Sequence, residues 1–304
     1  MTKNIFLLSV CILLTIFRTS AQFYQQPVEN AVQLSDKFDQ SQGLLTFYGD
    51  NQDYCPYYLF VYFKDYQNLN GMIGTRSIIA YPGNKLLMSY SLSDKTKSFN
   101  YRYTYSMYRG NPRSKVNVDF AYALPTANGA TVMPRTTQNR EGYQLSFEVV
   151  SDTVYACREG VMCNDDLSDH TAKGHKKFDG RHSMVQITLY HEDGSFGEYV
   201  FEGKSMVFPG QRVKMGQPIG ILGTILDKYF INFSVYFLDK NKIEDNKVSN
   251  KHTHFRPFFQ TENAGKLRLE REQIYVCERT DEMLMQDMSK KEQKKFLKTK
   301  LAKQ

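Results

Sequence analysis

The pair His252 and His254 has the residue types and the spacing that could bind a metal ion. Residues two apart on a β-strand project to the same face, so both imidazoles would point in one direction. Imidazole is a common zinc ligand, but a catalytic zinc takes about three protein ligands and keeps one position open. The pair therefore needs a further ligand before it can support hydrolysis.

The other histidines lie in a polar loop and in one turn. His170, His175 and His182 lie in or beside the stretch 163–181, together with Asp165, Asp166, Asp169 and Asp179. Their spacings vary and no strand pattern fixes them, so the composition favours a solvated loop over a metal site. His191 opens the turn His191-Glu192-Asp193-Gly194, where a capping or packing role is expected.

Four cysteines follow the N-terminal leader: Cys55, Cys157, Cys163 and Cys277. An even number in an exported protein permits disulfides, with three possible pairings. There is no C-x-x-C pair, which disfavours a structural zinc site. Cys157 and Cys163 flank a turn and could face each other across a hairpin; unpaired buried thiols are the alternative.

Residues 1–21 have the pattern of a secretory signal, with Lys3 before an apolar run at 5–17 and small residues up to Ala21. Cleavage is predicted between Ala21 and Gln22. No later stretch reaches 18 uncharged apolar residues, so the sequence predicts a secreted or periplasmic protein without a membrane span. The formal charge of +7 is concentrated in the leader and in the Lys-rich C-terminus, so no nucleic-acid partner is predicted.

The first half of the chain is rich in strand patterns. With 21 Tyr and 21 Phe in 304 residues, the composition favours β structure. Alternating segments separated by turn signals lie at 54–63, 76–82, 85–92, 98–108 and 116–124. The segments up to residue 108 predict a β-sandwich within residues 22–115. The Tyr-rich run at 101–109 fits a stacking surface or a strand with one aromatic face turned inward, and the alternation favours the strand.

A glycine-rich hairpin, GQRVKMGQPIGILG at 210–223, organises the second half. Its glycines stand where tight turns are required, and its aliphatic residues alternate as in a half-buried strand. Such a hairpin is typical of biotinyl or lipoyl carriers and of one class of zinc peptidase. No lysine occupies a carrier-type hairpin tip here, which argues against a carrier.

In the stretch 116–239, the order of motifs resembles that of the LytM/lysostaphin-type zinc metallopeptidases, which have the duplicated hybrid motif fold. The matching motifs are Tyr122-Ala123-Leu124-Pro125, the run 152–161, His191-Glu192-Asp193-Gly194-Ser195, and Tyr199 followed by the hairpin. The resemblance implies an all-β protein: an N-terminal β-sandwich, then a LytM-like antiparallel sheet of barrel-sandwich type, then a short helical tail. The predicted boundaries are 1–21, 22–115, 116–279 and 280–304.

The resemblance also assigns the zinc and catalytic positions. In that family an early His, an Asp and the second His of H-x-H hold zinc, and the remaining histidines act on the bound water. Counted without gaps from Gly220, these positions are Thr136-Thr137, Leu145 or Ser146, Phe201, Asn232 and Ser234. None of these residues is a histidine or an aspartate. The residues at the positions that the resemblance assigns therefore predict a protein without a metal, a cofactor or catalysis.

What remains is a cleft without a metal. We expect Ser146, Tyr199, Phe201, Asn232, Ser234 and Tyr236 to line it. Aromatic and amide side chains suit a peptide or glycan ligand. The predicted function is a cell-envelope binding or regulatory protein whose partner is a cell-wall peptide or an envelope protein such as a hydrolase. The alternative is an active metallopeptidase with displaced ligands, above all His252 and His254.

Overall fold

The structure, a computed structural model, describes residues 31–71, 74–139, 142–165, 184–223, 229–244 and 250–301. Twenty β-strands and three short helices lie in these ranges. The predicted signal peptide and His170, His175 and His182 lie outside the described residues. The predicted all-β class, with antiparallel sheets and a short helical C-terminus, is confirmed.

Six strands form two three-stranded antiparallel sheets in the N-terminal part. They are β1 (Val32–Asp39), β2 (Leu44–Asn51), β3 (Tyr57–Gln67), β4 (Thr75–Ala80), β5 (Gly83–Ser91) and β6 (Asn100–Arg109). One sheet has the order β1-β2-β5 and the other β4-β3-β6. Because side chains alternate along each strand, each sheet turns one apolar face towards the other.

Phe47 on β2 joins the two sheets. Its ring lies 5.4 Å from that of Phe63 on β3 and 5.6 Å from those of Tyr101 and Tyr103 on β6. These edge-on contacts fill the space between the sheets, as in a sandwich core. Tyr101 and Tyr103 of β6 therefore face inward, as the alternation predicted, and the N-terminal β-sandwich is confirmed.

The remaining strands form the second part of the protein. They are β7 (Ala121–Tyr122), β8 (Thr131–Asn139), β9 (Gly142–Val149), β10 (Thr153–Tyr155), β11 (Gly160–Met162), β12 (Met184–Tyr190), β13 (Phe196–Ser205), β14 (Arg212–Val213), β15 (Pro218–Leu222), β16 (Tyr229–Leu238), β17 (His252–His254), β18 (Phe258–Thr261), β19 (Gly265–Leu267) and β20 (Tyr275–Val276). Eleven of them share one sheet, whose path runs β14-β11-β12-β13-β16-β9-β8-β20. In this sheet β15 pairs with β10 and β13, and β17 pairs with β16.

The glycine-rich segment 210–223, predicted as a hairpin, forms β14 and β15, but these two strands do not pair with each other: β14 pairs with β11, and β15 pairs with β10 and β13. Val213 and Ile219 are fully buried in the core of the second part, as the alternation predicted. Gly216, in the turn between the two strands, has φ of +76°, a conformation that a residue with a Cβ rarely adopts. The segment therefore contributes Val213 and Ile219 to the core and Gly216 to the turn between its two strands, although it is not a hairpin.

Three helices complete the described chain. They are α1 (Lys240–Glu244), α2 (Asp281–Met285) and α3 (Lys290–Leu301). Thr280 caps α2, accepting a hydrogen bond from the N–H of Met283. The Lys-rich α3 has no buried residue. Among the described residues, no helix is long and apolar enough to cross a bilayer.

Candidate functional site

Four of the six side chains expected in the cleft lie on one face of the large sheet. Asn232 on β16 lies opposite Ser146 on β9, and Ser234 lies opposite Glu198 on β13. Residues directly opposite on antiparallel strands project to the same face, and alternation places Tyr236 there as well. Ser146 and Asn232 are half-buried, whereas Ser234 and Tyr236 are only 4% and 8% exposed. Ser146 and Asn232 are therefore the two that a ligand could reach.

Tyr236 belongs to the contact between the two parts of the protein. Its ring stacks on that of Phe196, with centroids 5.2 Å apart and planes 17° apart. Both residues belong to the hydrophobic cluster of the N-terminal sandwich. Tyr236 therefore holds the two parts together and does not line an open cleft.

Tyr199 and Phe201 lie on the opposite face from these four. Tyr199 is paired with Phe233 and Phe201 with Ile231, and all four side chains are at most 1% exposed. The N–H of Cys157 donates a hydrogen bond of 2.7 Å to the Tyr199 hydroxyl. The expectation that Tyr199 and Phe201 line the cleft is therefore corrected, because both are core residues.

This pairing also corrects the assignment of the metal positions on β16. Residues that share one zinc ion must project to one face, but Phe201 and Asn232 project to opposite faces. On the face of Phe201, the alternating positions of β16 are Ile231 and Phe233. The positions on β16 were assigned by counting forward from Gly220 across residues 224–228. They therefore differ by one residue in register from the position assigned to Phe201.

Apolar side chains occupy this inner face. Phe233 has its ring 4.9 Å from that of Tyr199 and 6.1 Å from that of Phe259. Phe201 lies so close to β15 that a Cβ at Gly220 would be 2.3 Å from its ring. The zinc positions on β16 are Asn232 and Ser234 in one register and Ile231 and Phe233 in the other. In neither register do these residues, or Phe201 on β13, provide a zinc ligand.

On the outer face, a polar strip runs across five strands, β8, β9, β12, β13 and β16. We define it by Arg135, Ser146, Glu148, Gln186, Glu198 and Asn232. The Gln186 amide donates a hydrogen bond of 3.2 Å to Glu198, and the Arg135 guanidinium lies 2.8 Å from a Glu148 oxygen. Asn232 and Ser146 lie between these two pairs. The strip thus offers amide, hydroxyl and charged groups side by side, the groups that recognise a peptide backbone.

His252 and His254 lie on β17 beside this face. The Nε2 atom of His252 is 2.9 Å from the carbonyl oxygen of Arg109, and because a carbonyl only accepts, this nitrogen is the donor. Burial lowers the pKa of His252 to about 4. In the described part of the chain, no third histidine, cysteine, aspartate or glutamate converges on this pair. Among the described residues, nothing thus supplies the further ligand that a zinc site at this pair would need.

His191 occupies the turn between β12 and β13, where the sequence predicted a packing role. It is fully buried, and its Nδ1 atom lies 2.7 Å from the Glu159 carbonyl oxygen. Burial, and then the nearby Arg158, lower its pKa to about 3. A Cβ at Gly197 would lie 2.8 Å from its Nε2 atom, so glycine is required there. His191 is a neutral core residue.

A buried polar cluster joins the two parts of the protein. Arg109, at the end of β6, lies 2.9 Å from Asp53 in the β2–β3 loop and 3.1 Å from Asp165, which follows β11. The second Asp165 oxygen accepts a hydrogen bond of 2.9 Å from the N–H of Thr188. Burial raises the pKa of Asp165, and Arg109 opposes that rise. Sequence patterns place Arg109 only at the end of the Tyr-rich run 101–109, because its partners are distant in the chain.

An aromatic groove lies between the outer face of β3 and α1. We define it by Tyr58, Phe60, Tyr62, Ile243 and Glu244, and its volume is about 420 Å³. The Phe60 ring lies 5.0 Å from that of Tyr58 and 6.4 Å from that of Tyr62. The sequence predicted this strand but not the groove, because aromatic residues occupy both faces of β3.

A second cavity, of about 620 Å³, contains the buried guanidinium of Arg158. Arg158 lies 2.9 Å from Asp193 and 2.7 Å from Asp287, and it stacks 3.7 Å above the Phe120 ring. Asp287 lies between α2 and α3, so this ion pair fastens the C-terminal segment to the sheet. Both carboxylates neutralise Arg158, which leaves no uncompensated charge for an anionic ligand.

No protein-family model matches the chain. No curated protein matches it either. Solved structures that are similar include a novel M23 metalloprotease, pseudoalterin, from the deep sea, at 13% identity and a TM-score of 0.30, over 52% of this chain and 95% of that one. An orthorhombic crystal structure of Csd3 from Helicobacter pylori matches at 11% identity and a TM-score of 0.29, over 91% of this chain and 86% of that one. TM-scores this low carry no inference about the site.

Proposed function

We propose that this chain is an exported, catalytically inactive relative of the LytM/lysostaphin-type metallopeptidases that binds a cell-wall peptide or an envelope protein such as a hydrolase. One observation carries the proposal: apolar core side chains stand where the resemblance expects zinc and catalytic residues. Phe201, Ile231 and Phe233 share one face of β13 and β16 and are at most 1% exposed. None of them offers a nitrogen or oxygen ligand.

The packing of this face of β13 and β16 supports inactivity as well, in addition to the types of the residues there. A metal and its water require a polar, open position, whereas buried aromatic rings in mutual contact fill this face. Removing a buried Phe side chain from such a core costs about 3–5 kcal/mol. The side chains that replace the ligands therefore stabilise the fold.

For binding, we propose the polar strip as the surface that contacts the partner. Its half-buried amide and hydroxyl groups, Asn232 and Ser146, lie between an arginine–glutamate pair and a glutamine–glutamate pair. Such a row can satisfy the N–H and C=O groups of an extended peptide. The aromatic groove is the competing surface on the N-terminal sandwich.

Two variants of the full-length protein separate these surfaces. Asn232→Trp places a bulky ring on the polar strip, and Tyr62→Ala removes a 39% exposed ring from the aromatic groove. The probes are sedimentation with insoluble peptidoglycan and capture of proteins from envelope extracts. We expect Asn232→Trp to reduce binding at least tenfold, with Tyr62→Ala at the wild-type level and both melting temperatures nearly unchanged. If instead Tyr62→Ala reduces binding and Asn232→Trp does not, the binding surface is the aromatic groove. If the wild-type protein binds neither probe, the proposed function is contradicted.

Export is part of the proposal and has its own test. Residues 1–21 have the secretory pattern, so the mature chain should begin at Gln22. Mass spectrometry of the protein recovered from the producing cells checks this. An intact Met1 start, or a lipid on Cys11, would contradict it.

A further inference from the structure

Two cysteines from distant parts of the chain meet inside the polar cluster between the two parts of the protein. Cys55 lies in the loop between β2 and β3, and Cys163 directly follows β11. Both are fully buried. Their Sγ atoms and a carboxylate oxygen of Asp53 all lie within 4.8 Å of one another. Neither the cysteine spacing nor the hairpin suggested by the sequence brings these two together.

A metal ion could use such a triad in principle, but the surroundings oppose it. The Oδ1 atom of Asp53 accepts hydrogen bonds of 2.7 Å from the N–H groups of Tyr54 and Asn164. The Oδ2 atom accepts from the Tyr57 hydroxyl at 3.0 Å and lies 2.9 Å from the Arg109 guanidinium. The carboxylate is thus fully engaged, and the fixed positive charge of Arg109 beside it would repel a cation.

We propose that Cys55 and Cys163 form a disulfide bond that joins the N-terminal sandwich to the large sheet. Their Sγ atoms lie within 4.8 Å of each other, and a disulfide requires them to approach to about 2.05 Å. Cys163 also packs in the hydrophobic cluster of the sandwich, so the bond would lie across an existing contact. This inference rests on the export included in the proposed function, because disulfides persist in oxidising compartments.

The bond forms by thiol–disulfide exchange with a disulfide-bearing oxidant. One cysteine thiolate attacks the oxidant's disulfide, forming a mixed disulfide and releasing the first thiol of the oxidant. The other cysteine, as thiolate, then attacks the protein sulfur of that mixed disulfide and releases the second thiol. Both cysteine protons leave to the released thiolates, and the oxidant takes up two electrons. Burial, and then the adjacent Cys163 thiol, raise the pKa of Cys55, so exchange takes place before folding buries the pair.

The first experiment uses the full-length chain, reduced, denatured and refolded with reduced and oxidised glutathione. Free thiols are alkylated in denaturant, and the tryptic peptides are analysed by mass spectrometry. Arg158 separates Cys157 from Cys163 in the digest, so the two are assigned independently. We expect one linked pair of peptides, containing Cys55 and Cys163, that disappears on reduction. Alkylation of both cysteines in the unreduced sample, or a bond from Cys163 to Cys157, would overturn the proposal.

Two variants and one metal measurement complete the test. Cys163→Ser should abolish the linked peptide and lower the urea midpoint, whereas Cys277→Ser, a buried cysteine outside the cluster, should keep the link. One zinc ion per wild-type chain that Cys163→Ser loses would instead establish a metal site and overturn the disulfide. If the refolded protein forms the bond but protein recovered from cells has free thiols, the disulfide chemistry holds and the export in the proposed function is contradicted.

Discussion

Phe201 lies directly opposite Ile231 in the ladder between β13 and β16, and both side chains are buried in the core. In the metallopeptidases that the sequence resembles, these strands carry the histidines of the active site. Here the same face is closed by apolar packing, while the polar side chains Asn232 and Ser146 project from the other face. Under the proposed function, the missing zinc ligands and the missing open site thus have one cause, the apolar side chains on this face.

Restoring two histidines on β16 should not restore hydrolysis. In the variant Asn232→His with Ser234→His, both imidazoles would project away from Phe201 and fall short of three zinc ligands. Ser234 is 4% exposed, so its enlargement should also destabilise the fold by about 1–3 kcal/mol. For the same reason, a bulky residue at 234 is a poor probe of binding. Release of soluble fragments from peptidoglycan by this variant would contradict the assignment of the two faces.

Strand β15 of the glycine-rich segment offers a matched pair of isoleucines for a stability test. Ile219 is fully buried and Ile221, on the same strand, is 45% exposed. Ile219→Ala should lower the free energy of unfolding by about 2–4 kcal/mol, because it leaves a cavity in the core. Ile221→Ala should change it by less than about 0.5 kcal/mol. Urea unfolding measures the free energy of unfolding of both variants. Equal midpoints would show that Ile219 is not buried in the core while Ile221 is exposed.

The attachment of the C-terminal segment depends on Arg158 and Asp287. Asp287→Asn removes a charge from a hydrogen bond to a buried guanidinium, which should cost about 1.5–3 kcal/mol. Amide exchange should then accelerate selectively in residues 281–301. The control is Lys300→Ala, which breaks an exposed ion pair with Asp281 and should cost less than about 1 kcal/mol. Unchanged exchange in Asp287→Asn would mean that other contacts hold the segment.

Two buried histidines predict destabilisation in mild acid. In the folded protein the pKa is about 3 for His191 and about 4 for His252, against 6.5 ordinarily. Below pH 6.5 the unfolded chain therefore binds protons that the folded chain does not, and stability falls as the pH falls. Each histidine contributes about 1.4 kcal/mol per pH unit in this window.

The variant His252→Gln isolates one of these contributions. Its amide can still donate to the Arg109 carbonyl, but it does not titrate. Between pH 6 and pH 4.5 its free energy of unfolding should fall less steeply than that of the wild-type protein, by up to about 1.4 kcal/mol per pH unit. Above pH 7.5 the two dependences should be parallel. Parallel curves in acid as well would mean that His252 is protonated in the folded state.

The sequence predicted the elements better than their faces. The strand β16 and the burial of Val213 and Ile219 follow from the regular alternation of apolar and polar residues, and both are confirmed. On β13, however, Tyr199, Val200 and Phe201 are all large and apolar, so alternation alone cannot tell which of them faces the core. Only the pairing with β16 decides this, and it depends on a register that residues 224–228 interrupt.

Contacts between distant segments were beyond the reach of sequence patterns. Asp53, Arg109 and Asp165 come from three separate loops or strand ends, and no local periodicity links them. The same holds for the approach of Cys55 to Cys163, whereas the sequence suggested only the local pair Cys157 and Cys163. Folding brings such groups together because a buried charge requires a partner, a condition visible only once the burial is known.

The proposed absence of catalysis is tested most directly by zinc content combined with cell-wall digestion. The purified full-length protein is incubated with excess zinc, desalted and analysed for bound metal, and the same sample is mixed with peptidoglycan. We expect less than about 0.1 zinc per chain and no soluble fragments, because no set of three ligands faces an open position on β13 and β16. One tightly held zinc per chain together with digestion, both lost in a His252→Ala, His254→Ala double variant, would contradict the proposal and establish a displaced metallopeptidase site.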